Sequence, residues 1–421
     1  MHISIFTVII LLIVITSFFG YINVRFIKLP ETIGLMVISV LFSLLLIVAG
    51  MINPGITDYA ATVIGKIDFS KALFNVMLSF LLFAGALHTD AALLKKHWRS
   101  IGIFAVIGVI ISTALVGTLV FFFFKLINSP VSYAYCLLFG ALISPTDPIA
   151  VLGILTKAKV PKDVEINIVG ESLFNDGIGV VLFLSIMEIS NIGISNISFS
   201  KIAWLLSKEV FGGIIFGLVL GYIAYRMMKS IDNYQTEIMI TLAMVMGGYY
   251  AAQLMHISGP LAMVVAGLFT GSRAKSHAMS SITGMYIDKF WELMDVLMNA
   301  LLFVLVGLEI IVLDFSWDYL LAGAIAILVV LISRYIALRL PLLVTGKLID
   351  ISRKAIGLMT WGGLRGGLSI AMALSLQGHV YKDRFVFMTY MVVLFSILVQ
   401  GLSVSRLAKR MYASDLSAKN N

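Results

Sequence analysis

Charge is the scarcest thing in this sequence: Asp, Glu, Lys and Arg together make up 12% of its 421 residues. Soluble domains carry about twice that share, so there is too little polar surface here to clothe a water-soluble body. Cysteine is nearly absent as well. The lone Cys136 excludes intrachain disulfides, thiolate metal cages and paired-thiol redox chemistry. There are only 8 prolines, and two of them, Pro145 and Pro148, fall together in the interior of one apolar run, where proline interrupts a helix.

What the chain has instead is apolar residues, 60% of the total. They are grouped into runs long enough to cross about 30 Å of hydrocarbon. The runs lie near 4–24, 29–50, 72–89, 101–124, 132–156, 165–190, 209–228, 236–256, 258–272, 290–312, 318–343, 355–377 and 384–405. The expected fold class is an all-α polytopic membrane protein with about 13 transmembrane helices. Residues 1–405 are expected to form one integral membrane domain, and 406–421 a short cytoplasmic tail. Residues 1–20 lack a basic leader and a small-residue cleavage pattern, so they are read as the first span.

The net charge of +8 does not indicate a nucleic-acid partner. The basic residues stand in short clusters between apolar runs, which suits lipid headgroups and not a single interaction face. With the N-terminus outside, 21 of the 30 basic residues fall on inner connections and 7 on outer ones, while Arg334 and Arg365 lie within spans. That bias places the C-terminus in the cytoplasm.

Two spans are interrupted at mid-membrane depth. One contains Ser144-Pro145-Thr146-Asp147-Pro148, and the other Trp361-Gly362-Gly363-Leu364-Arg365-Gly366-Gly367. They stand seven spans apart, an odd offset that reverses one relative to the other. Broken helices at matching places in inverted halves point to a transporter's binding site. The two prolines free backbone carbonyls near Asp147. With the Thr146 hydroxyl and the Asp147 carboxylate, these are hard oxygen ligands suited to dehydrated Na⁺.

The next span carries Glu171, Ser172, Asn175 and Asp176. Ser172 and Asp176 share one helical face, and Glu171 and Asn175 the adjacent one. So many polar groups cannot face lipid. Asp147 and Asp176 can form one site from neighbouring spans, where a cation and a proton compete for the same carboxylate oxygens. Competition of that kind is antiport in its simplest form. Arg365 needs a buried anion, and Glu171 is the expected partner in a structural ion pair. Asp295 and Glu309 are read as the two ends of a span.

These residues resemble the NhaP/NHE type of monovalent cation:proton antiporters. The resemblance rests on Thr146-Asp147-Pro148, on Glu171-Ser172 with Asn175-Asp176, and on Gly362-Gly363-Leu364-Arg365-Gly366, in that order, with weaker matches at 80–90 and 258–267. It implies a thirteen-helix fold with a mobile core and a dimerisation domain, elevator-like alternating access and a homodimer in a prokaryotic plasma membrane. It also implies Asp176 as the main cation- and proton-binding carboxylate, with Asp147, Thr146 and Ser172 completing the Na⁺ site. Asn175 would stand where electrogenic relatives have a second aspartate, as in electroneutral exchangers, and Glu171 with Arg365 would be the structural pair. No cofactor is expected beyond the transported Na⁺ or Li⁺ and H⁺. Ala84 stands where many members carry a glutamate. The alternatives are a K⁺(Na⁺)/H⁺ antiporter of the same fold and an intramembrane aspartyl protease using Asp147 and Asp176, whose usual Tyr-Asp and Gly-x-Gly-Asp pairing is absent.

Overall fold

A computed structural model of the chain describes residues 5–147, 155, 160–192, 199–313, 316–345, 351–376 and 381–417. Among these residues the secondary structure is helical, apart from one isolated antiparallel bridge between Asp147 and Leu364. The first half runs α1 (Ile5–Ile22), α2 (Glu31–Ile52), α3 (Pro54–Ile64), α4 (Leu78–Leu87), α5 (Val109–Leu126), α6 (Tyr133–Ile143) and α7 (Lys162–Ile192). The second half runs α8 (Phe199–Met228), α9 (Tyr234–Leu254), α10 (Gly259–Phe269), α11 (Ser281–Leu308) and α12 (Trp317–Thr345), then α13 (Arg353–Trp361), α14 (Gly367–Leu374), α15 (Lys382–Phe395) and α16 (Leu402–Ser417).

Nine helical stretches among the described residues are long and apolar enough to cross a membrane. They coincide with nine of the thirteen apolar runs. The other four runs contain α6 and α10 with 11 residues each, the 21-residue α9, and the interrupted pair α13 and α14. Residues 148–154 and 156 of the fifth run, Pro148 among them, lie outside the described residues.

Helix starts are written in side chains. Asn233, Ser258, Ser280 and Ser352 each accept a hydrogen bond from a backbone N–H in the first turn that follows. Such caps satisfy donors that a helix start leaves free. Three starts differ from the sequence reading, one of them α8, which starts at Phe199, ten residues before its run. The connection 51–71 contains α3, capped by Asn53 with Pro54 behind it; Thr57 and the exposed Asp58 and Thr62 hide it from a search for apolar runs. α11 starts at Ser281, nine residues before the run that marked it, because Asp288, Lys289 and Glu292 dilute its first turns. Asp295 is therefore well inside a helix and not at the end of a span.

The helices pack around two apolar cores. One draws mainly on α4, α5, α6, α7, α9 and α10, and the other mainly on α2, α11, α13 and α16, with α4, α7, α11, α12, α14 and α15 contributing to both. Of the long apolar helices, α1 and α8 are the most peripheral, with 22% of an 18-residue stretch of each buried. Close approach rests on small residues. A Cβ added at Gly140 of α6 would collide with the Thr113 carbonyl oxygen of α5 and come within 3.0 Å of the Gly117 nitrogen. Gly140→Val is therefore expected to force α5 and α6 apart, at a cost of about 1–3 kcal/mol. The check is a lowered melting temperature of the purified protein in detergent.

Candidate cation site

α6 stops at Ile143 because Pro145 follows and offers no amide to continue the ladder. The chain then runs extended through Pro145, Thr146 and Asp147. α13 stops at Trp361, and glycines carry the chain to α14. The two unwound segments meet where the Asp147 N–H donates to the Leu364 carbonyl at 2.7 Å. Non-helical backbone inside a membrane needs such partners, since lipid supplies none.

Arg365 completes the junction. Its guanidinium donates to the carbonyls of Ser144 and Pro145, the latter at 2.6 Å, and its own N–H is held by Ser396 Oγ at 2.8 Å. Those carbonyls belong to the C-cap residue and the one after it, so the guanidinium sits at the negative end of the α6 dipole. The complementary pairing lies opposite. A Cβ on Gly366 would fall 2.5 Å from Asp147 Oδ2, so this carboxylate rests against the N-terminal end of α14, the positive end of that dipole.

α7 supplies the other wall. Asn175 accepts the Thr146 N–H at 3.2 Å and donates to the Thr146 hydroxyl at 2.8 Å, which also meets Ser172 Oγ at 2.9 Å. All three side chains are buried. They hold the extended segment against α7. Asp176, one residue beyond Asn175, turns toward a cavity of about 60 Å³, lined also by Asp147, Pro145, Gly85, Leu302, Gly366 and Gly367. A water needs roughly 10–15 Å³ by this kind of measure, so a small cation with part of its hydration shell fits. Asp147 and Arg365 are the charged neighbours of Asp176. The structure thus brings Asp147 and Asp176 onto one cavity and places Thr146, Ser172 and Asn175 behind its wall. Ala84 is buried beside Gly85.

The ion pair expected between Glu171 and Arg365 is corrected. Glu171 forms a two-pronged pair with Arg334 of α12, Nη1 to Oε1 and Nη2 to Oε2, the latter at 2.8 Å. The pair is almost wholly buried, with side-chain exposures of 6% and 1%. The physical reason is that Arg365 is committed to the helix-end carbonyls, while Glu171 lies on a different face of α7 from the cavity. Arg334 also reaches Met359 O at 3.5 Å, and its Nε lies 2.9 Å from where a Gly363 Cβ would stand, so it ties α7 and α12 to the second broken helix. The sequence did contain the signal for this role: Arg334 is the other basic residue inside a span.

A helical membrane bundle in which two broken segments cross beside paired carboxylates belongs to the class of secondary transporters. The chain belongs to the sodium/hydrogen exchanger family, whose transmembrane region matches residues 13–410. It is 47% identical to the Na⁺/H⁺ antiporter NhaP of Pseudomonas aeruginosa over 408 residues, covering 95% of this chain and 96% of that protein. It is 34% identical to the Na⁺/H⁺ antiporter NhaH of Halobacillus dabanensis, covering 92% and 93%. The fold matches that of the sodium proton antiporter MjNhaP1 from Methanocaldococcus jannaschii, with a TM-score of 0.75 at 22% identity, covering 95% of this chain and 97% of that one. The protein is a multi-pass protein of the plasma membrane, and its relatives are transporters, not enzymes.

Removing one partner of a buried ion pair costs roughly 3–5 kcal/mol. Arg334→Ala is expected to lower the melting temperature and the yield of monodisperse protein sharply. Joining Glu171→Gln to Arg334→Gln in one protein should recover much of that loss, because no charge is left stranded. Equal losses in the single and double variants would show that the pair does not hold α7 to α12.

Proposed function

We propose that the protein is a secondary active antiporter that exchanges Na⁺, and with it Li⁺, for H⁺ across the plasma membrane. The single observation that carries this reading is the cavity shared by Asp147 and Asp176 beside the crossing of the broken segments. Two carboxylates in one water-poor cavity repel each other and are poorly solvated, so one positive charge, a cation or a proton, is needed to stabilise the pair. Asp176 is the residue for which the two compete. Asp147 supplies further oxygen, while Thr146 and Ser172 complete the site or hold it in shape. Neutral Asn175 leaves the site without an additional charge, which favours one-for-one, electroneutral exchange.

The rest of the mechanism follows the family. Thirteen crossings with the N-terminus outside and the C-terminus inside would form two inverted repeats, with core and dimerisation subdomains interleaved along residues 1–405. Elevator-like motion of the core would carry the loaded site between the two faces, in a homodimer. Only a site neutralised by one ligand or the other would cross readily, because an uncompensated charge is costly in hydrocarbon.

Proteoliposomes loaded with a pH dye test the exchange. Addition of Na⁺ should release protons through the wild type and not through Asp176→Asn; equal flux in both would sink the assignment of Asp176. Additions of Li⁺ and K⁺ in the same vesicles rank the cations. For stoichiometry, an imposed membrane potential should leave the exchange rate nearly unchanged, and a steep voltage dependence would refute one-for-one exchange.

A further inference from the structure

Asp288, Asp295, Leu302 and Glu309 are spaced seven apart, so they follow one stripe along α11 and its end. Leu302 forms part of the wall of the Asp147–Asp176 cavity and packs against Gly367. Asp288 and Asp295, with Glu292, line an open vestibule of about 710 Å³. Asp295 thus stands two turns, roughly 10 Å along the helix, from the residue that walls the cavity. Among the described residues, Asp147 and Glu31 are the charged groups that act on it, and both are acidic.

The carboxylates of this stripe differ in what satisfies them. Asp288 is paired with Lys275, and the adjacent Glu292 with Lys289. No ion pair among the described residues holds Asp295. Its carboxylate instead takes a hydrogen bond from Asn299 Nδ2 at 3.0 Å, and the same amide donates to the Asp295 carbonyl at 2.9 Å. Asn299 is 3% exposed, and its own Oδ1 is buried without a hydrogen-bond partner. A buried amide oxygen left unpaired costs about 1–3 kcal/mol. Protonation of Asp295 would relieve the carboxylate and leave that oxygen orphaned. A small hard cation satisfies both, because each group offers the oxygen such ions prefer.

We propose that Asp295 and Asn299 form a second station for the transported monovalent cation, between the vestibule and the Asp147–Asp176 cavity. The station rests on the exchange reading above. A cation leaving the vestibule exchanges part of its water shell for the Asp295 carboxylate and Asn299 Oδ1, and then moves along the stripe to Asp147. Its neighbours Asp288 and Glu292 each carry a lysine partner that offsets their charge, although Asp288 Oδ1 is itself buried without a hydrogen-bond partner. The station serves only the face of the membrane onto which the vestibule opens.

The test measures half-saturating Na⁺ with a pH-gradient dye in everted and in right-side-out membrane vesicles. Wild type that exchanges no Na⁺ for H⁺ removes the exchange reading, and the station with it. In active wild type, Asp295→Asn is expected to raise half-saturating Na⁺ roughly tenfold on one face only, the equivalent of losing one modest charge interaction, with the maximal rate within about twofold. Asp295→Glu should stay near wild type. Asn299→Leu, which removes the orphan oxygen and keeps the volume, should give a one-sided rise in the same vesicles, and it serves where Asp295→Asn does not fold. An unchanged half-saturation, an equal rise on both faces, or a lost maximal rate at constant half-saturation would each overturn the station.

Discussion

A chain that stops being helical inside hydrocarbon must find a partner for every N–H and C=O it frees, and the centre of this protein is organised around that need. The Asp147 N–H is answered by Leu364 O, and the carbonyls of Ser144 and Pro145 are answered by Arg365. Each broken segment therefore supplies what the other lacks. Were either segment a continuous helix, it would carry its own hydrogen bonds and there would be no reason for Arg365 or Asp147 to lie at this depth. The glycines flanking Arg365 serve the same constraint by proximity: a side chain on Gly366 would occupy the space of the Asp147 carboxylate.

The two buried arginines are satisfied in different ways, and the difference bears on what each can do. Arg334 meets a full opposite charge in Glu171, so that corner is closed electrostatically and serves to join helices. Arg365 meets carbonyl dipoles at a helix end, which carry only about half a charge in sum. It therefore retains a positive field that reaches Asp176. The cavity is thus bordered by two carboxylates, one helix N-terminus and one incompletely compensated guanidinium. Such a border can tolerate a change in charge at Asp176 without losing the backbone contacts that define the crossing.

Much of this could be read from the residues. Long apolar runs announced the bundle, and the prolines and glycines announced where it breaks, because those residues act on the backbone directly. Helical spacing put Ser172 and Asp176 on one face, and the structure places Asp176 at the cavity and Ser172 beside Thr146. The partner of Glu171 was not legible. Pairing between spans that are distant in sequence depends on how helices rotate against one another, and an apolar run carries no record of its rotation. Arg334 and Arg365 were equally buried and equally in need of an anion, so only the packed structure could assign them. α3 and the first turns of α11 were hidden for another reason: polar residues on an interface or vestibule dilute hydrophobicity without breaking the helix.

Counting charge at the crossing ties these parts together. Asp147, Glu171 and Asp176 bring three carboxylates, and Arg334 and Arg365 bring two guanidiniums. The cluster therefore lacks one positive charge when all are ionised, a deficit that one proton or one monovalent cation would make up in the proposed exchange. Asn175 fills the position next to Asp176 with an amide whose oxygen and nitrogen are both occupied by Thr146. An aspartate there would lose the donor to the Thr146 hydroxyl, place a second anion beside Asp176 and raise the deficit to two. The same residue that pins the extended segment to α7 thus also keeps the deficit of the cavity at one charge. One side chain thus both positions the extended segment and sets the local charge count on which the proposed one-for-one exchange rests.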